Sequence, residues 1–210
     1  MSAPVRTDPP YVPIRRTRWA TRRTPLWVLV VIVVLVVGGV LVGLSRTPSQ
    51  AQRASDLRGF LGDMNYDIES CAGGVSESLA ALQQVESGTS RDLSTAVYIA
   101  NTGAANCSPA NNEQIDDLEN YQVTESLASF RLARVVTGLV NWAAPDAEDV
   151  QTDVALVLNN LGNPQAKAQD TATLQKAIRK LNSQRAATDA IMNSAIRSLS
   201  AHASPPKLPG

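Results

Sequence analysis

Apolar residues follow three regimes along the chain. The first 25 residues show no apolar period and are interrupted by Pro4, Pro9, Pro10, Pro13 and Pro25. An unbroken run follows over 26–44, LWVLVVIVVLVVGGVLVGL, with no charge and no proline. From about residue 50 onward, apolar positions recur every three or four residues, the helical period, without strand-like alternation.

The middle run has nineteen residues. As a helix it is about 28 Å long, close to the roughly 30 Å hydrocarbon core of a bilayer. In lipid such a helix satisfies its own backbone and its side chains need no partner. It reads as a single transmembrane helix.

In the periodic part, Leu57, Leu61, Met64, Ile68 and Cys71 form the seam of a helix over 50–71, with Phe60 beside it. Gly73-Gly74 is expected to break that helix. Val75, Leu79 and Leu82 mark a short second one, closed by Ser87-Gly88. Ser90 is placed to cap a third, with Leu93, Val97 and Ala100 inward. The acidic stretch 111–120 reads as a loop or helix start with Ile115 and Leu118 packed. A helix over 121–143 carries Ala128, Leu132, Val135, Leu139 and Trp142. Pro145 stops it and starts the next, whose first turn holds Asp146, Glu148 and Asp149. Val150, Val154, Val157 and Leu161 are its stripe, and Gly162 is expected at its C′ position. Pro164 opens a last helix to about 200. Its seam runs through Thr171, Leu174, Ile178, Leu181, Thr188, Met192, Ala195 and Leu199, interrupted by Arg185.

The expected fold is all-α: one N-terminal transmembrane helix followed by an elongated extracytoplasmic helical bundle. Its parts are a disordered basic cytoplasmic tail (1–25), the span (26–44), the helical domain (45–203) and a disordered tail (204–210).

Charge orients this arrangement. The chain has 19 basic and 19 acidic residues. The first 25 residues hold six arginines against Asp8, a balance of +5, so the remainder carries −5. Arg15, Arg16, Arg18, Arg22 and Arg23 lie just before the span and keep the N-terminus cytoplasmic. They also suit anionic lipid, and Trp19 and Trp27 suit the headgroup layer. A cleaved signal peptide is the rival reading, since Ser49-Gln50-Ala51 offers small residues. A signal h-region, however, is usually about 7–15 residues, shorter than this run. Within the run, Gly39 and Gly43 make a GxxxG pair, a face on which two helices can dimerise.

Candidate chemistry is sparse. Cys71 and Cys107 both follow the span, on the oxidising side, and read as a structural disulfide of up to about 4 kcal/mol. His202 is the only histidine, which leaves a Ser-His-Asp triad or a histidine metal site nothing to use. Asp116, Asp117 and Glu119 lack the calcium-loop pattern and read as a solvated turn. The last helix is basic and the middle of the domain acidic, which reads as intramolecular complementarity; an anionic ligand is the sharper alternative. No cofactor, metal, nucleic-acid partner or small-molecule substrate is expected. The expectation is a non-enzymatic, membrane-anchored envelope protein whose bundle is an interaction or scaffold module. Its partners would be lipid and another envelope protein or a second copy. The alternatives are an extracytoplasmic ligand sensor and a cell-wall hydrolase.

Overall fold

A computed structural model describes residues 48–209. Every regular element among them is a helix. None is long and apolar enough to cross a membrane. The run over 26–44 and the arginine-rich tail lie outside the described residues.

Helix α1 spans Gln50–Glu86, 37 residues or about 55 Å. Ser49 caps it by accepting from Gln52 N–H at 3.1 Å. It does not break at Gly73-Gly74. The 4-3 seam stays in phase across the glycines, through Leu57, Leu61, Met64, Ile68, Cys71, Val75, Ser78 and Leu82, all buried. Two glycines cost a helix about 2 kcal/mol relative to alanine, and tertiary contact offsets that. A Cβ on Gly74 would lie 2.9 Å from the Cα of Gly103. Gly74 is therefore a point where two backbones meet. The true break is at Gly88, whose φ of +74° is the left-handed turn that glycine permits.

Helix α2 spans Leu93–Cys107. Its N-cap is Asp92 and not Ser90. The Asp92 carboxylate accepts from Thr95 N–H at 2.9 Å, Thr95 Oγ1 at 2.6 Å and Ser94 Oγ at 2.9 Å. These bonds, led by the Thr95 hydroxyl, lower its pKa to about 2. The inward face is Ala96, Ala100, Gly103 and Cys107, and Leu93 is exposed. Small residues, not the larger apolar ones, let α2 lie against α1.

Helix α3, Glu113–Glu119, buries Ile115 and Leu118. The single helix expected over 121–143 is instead an extended link, a 3-10 turn at Glu125–Phe130, and helix α4 at Leu132–Asn141. Arg131, in the left-handed region at φ 58°, separates the last two. The link is held sideways on α1: Tyr121 OH donates to Asp63 Oδ2 at 2.8 Å and Ser126 Oγ to Asp56 Oδ2 at 2.6 Å. Leu127 is buried there and Ala128 is exposed. Leu132, Val135, Leu139 and Trp142 pack inward as their spacing predicts.

A π-type turn at Trp142–Ala147 carries Pro145 and leads into helix α5, Glu148–Asn159. Asn160, not Gly162, ends α5. Helix α6 spans Pro164–Leu199, with Pro164 at its start and Asn163 capping Ala166 N–H at 3.2 Å. It buries Leu174, Leu181, Thr188, Met192, Ala195 and Leu199. The 204–209 segment, expected to be disordered, packs back on the bundle: Leu208 is 7% exposed, and Arg185 Nη1 donates to its carbonyl at 3.0 Å.

Candidate functional site

Cys71 sits inside α1 and Cys107 ends α2. The structure brings them together, with sulfurs at 1.96 Å and Cα atoms at 4.6 Å. The bridge joins the two helices on the side of their hairpin away from the Gly88 turn. Gly39, Gly43 and Arg15, Arg16, Arg18, Arg22 and Arg23 lie outside the described residues. Asp116, Asp117 and Glu119 are all exposed on α3. Among the described residues no group of three or more His, Cys, Asp or Glu could hold a metal ion.

Beside the bridge lies a polar junction that sequence reasoning missed. Gln151 of α5 is fully buried. Its Nε2 donates to Cys107 Sγ at 3.0 Å and to the Ala147 carbonyl at 3.2 Å. Its Oε1 lies 3.2 Å from Ser78 Oγ, which donates to the Gly74 carbonyl at 2.7 Å. A Cβ on Gly103 would stand 1.8 Å from that Oε1. The missing methylene is the space the amide occupies. The only sequence signal was a glutamine beside Val150 in an otherwise apolar stripe. The amide joins α5 to Cys107 of α2 and touches Ser78 of α1, which fixes the three helices in one register. That role is architectural.

A second cluster lies where α3 and its following link meet α1. Asp67 is buried, with 7% exposure, and faces Asp63 one turn away, Asp117 of α3 and Tyr121. Burial first, then the Asp63 and Asp117 charges, push its carboxyl up to about 6. Burial, then the bond to Asp63, pushes the Tyr121 phenol up to about 12. Tyr121 also packs edge-on against Phe60, with ring centroids 5.7 Å apart.

Two of the grooves lined by the described residues carry carboxylates. One, of about 480 Å³, lies between α5 and α6 and carries Asp149, Asp153, Lys176 and Lys180. Lys180 is paired at 2.7 Å with the buried carboxylate of Asp146. Asp153 is pushed upward by burial and by Asp149 and Asp170. The other, about 460 Å³, lies between α1 and the 207–209 segment. His202 is exposed and lines neither. No family model matches the chain, and neither a curated protein nor a solved structure matches it.

Proposed function

We propose that the chain is a single-pass, membrane-anchored envelope protein whose exported helical bundle is a non-enzymatic interaction or scaffold module. The observation that carries the reading is the joining of Cys71 to Cys107 in the part of the chain that the arginine asymmetry assigns to the oxidising side. The uncharged run over 26–44 supplies the anchor in this reading, and Gly39 with Gly43 a face for a second copy. Lipid is the first partner and another envelope protein the second. Exposed Tyr66 and Tyr98, 62% and 70% exposed, supply the amphipathic side chains that interfaces favour. The test is crosslinking of the intact chain in native membranes followed by capture. A stoichiometric protein partner supports the module, and recovery of the chain alone, as a monomer, refutes it.

A second reading, an extracytoplasmic ligand sensor, draws on the mixed-charge groove between α5 and α6. Such a groove suits a small zwitterion. Ligand-dependent thermal stabilisation lost on Lys176→Ala would favour it over the scaffold.

A further inference from the structure

Residues 93–130 hold five acidic side chains and no basic one. The part from Glu113 to Phe130 lies on a face of α1 that is itself acidic. Asp56, Asp63 and Asp67 stand there about two turns and one turn apart. Two of the three carboxylates receive a donor from the segment: Tyr121 OH reaches Asp63 at 2.8 Å, and Ser126 Oγ reaches Asp56 at 2.6 Å. The third, Asp67, is the most buried, and among the described residues no hydrogen bond or ion pair acts on it.

No cation compensates Asp67 from any side. Asp63 faces it from its own helix, and Asp117 faces it from α3. Tyr121 of the following link shares the cluster and stays a neutral donor. Helix α2 and the loop after it carry no charged group between Asp92 and Glu113. Arg134 is the one charged residue of α4, which packs on α3, and it is exposed. Lys207 meets α1 in the groove that holds Glu69, and Asp67 does not line that groove. Ionising Asp67 therefore adds a negative charge to a seam that is already negative and partly closed to water.

The segment on the other side of this seam can respond by itself. It is fixed at one end by the disulfide at Cys107 and at the other by the left-handed turn at Arg131 into α4. Between these points it buries Ile115, Leu118 and Leu127 and holds α1 through a few side-chain bonds. Lifting it uncovers Phe60, on which Tyr121 now packs edge-on.

We propose that residues 113–130 form a pH-responsive latch on α1: proton loss from Asp67 loosens this segment while the helices on either side of it stay packed. The proposal does not depend on where in the cell the bundle lies. The closed seam holds the Asp67 proton with a pKa of about 6, against 3.8 for a free carboxyl. The proton-linked preference for the closed form is complete below pH ~3.8 and gone above about 6. Between pH 5 and pH 8 it changes the closed-to-open ratio by about tenfold.

Hydrogen exchange of the full chain in detergent, read by mass spectrometry at pH 5 and pH 8, tests this. Each rate is divided by that of an unstructured peptide of the same sequence at the same pH. Protection of residues 113–130 should fall by about tenfold between pH 5 and pH 8, and that of α5 and α6 should not change. Asp67→Asn should hold the segment at its pH 5 protection throughout. Asp117→Asn alters only an exposed side chain, so it reads the seam even if Asp67→Asn fails to fold, and it should reduce the fall to about threefold. Equal protection at both pH values overturns the proposal. So does a fall that survives Asp67→Asn or is untouched by Asp117→Asn. A fall of the same size in every helix also overturns it, because the proton would then act on the whole bundle.

Discussion

Replacing Asp67 with asparagine should stabilise the protein at neutral pH and leave it unchanged in acid. Asp67 keeps 7% of its surface, and Asp63 and Asp117 face it with like charge. Its folded pKa of about 6 stands above the ordinary 3.8. The folded state therefore holds this proton more tightly than the unfolded chain. The stabilising linkage is fully present below pH ~3.8, fades as pH rises, and is gone above about 6. The rise from 3.8 to about 6 corresponds to roughly 3 kcal/mol. Asp63 and Asp117 are exposed, so water screens part of the repulsion, leaving about 1–3 kcal/mol. The asparagine side chain keeps the shape of the carboxyl and cannot ionise. Thermal unfolding of the intact chain in detergent, followed by circular dichroism, reads the difference. At pH 8 Asp67→Asn should melt about 3–9 °C higher than the parent, and the gap should close by pH 4. A constant gap between pH 4 and pH 8, or a variant less stable at pH 8, refutes the account of Asp67 as a buried, repelled carboxylate.

Three further outcomes follow from the α1–α2 contact. Gly103→Ala drives a methyl into the Gln151 amide and should destabilise by about 1–3 kcal/mol or more, read by the same melts. Gly73→Ala meets nothing and should be neutral or stabilising by up to about 1 kcal/mol. Cys71→Ser removes a link across a sequence separation of 36 and should cost up to about 4 kcal/mol on the chain-entropy model. Its loss should speed hydrogen exchange in residues 73–106 before it affects α6.

Periodicity made the seams of α1, α4 and α6 legible, because a helix that buries one stripe must repeat its apolar residues every three or four positions. The same rule, applied across Gly73-Gly74, keeps Val75, Ser78 and Leu82 in phase with Cys71, yet local propensity argued for a break. The contact that overrules propensity is Gly74 on Gly103, 29 residues away in sequence and invisible to any local window. The missing helix at 121–130 has the same origin. Tyr121 and Ser126 bond carboxylates of α1, and no residue within the segment announces those partners. The cysteine pair was legible from number alone, since Cys71 and Cys107 are the two cysteines of the chain. The junction around Gln151 was not, because one polar residue in an apolar stripe has no meaning until its three partners are placed. The 204–209 segment looked like a proline-rich tail, and a single leucine with a distant arginine gave it a fixed place.

The central claim is that the bundle is exported and held by an uncleaved span. Protease treatment of intact cells, with fragments mapped by mass spectrometry, tests it most directly. The account predicts that residues 1–25 are shielded and remain joined to the span, while sites beyond residue 50 are cut and a peptide linking Cys71 to Cys107 is recovered without reductant. A bundle shielded from external protease, or a mature N-terminus near Gln52 with the span absent, contradicts it.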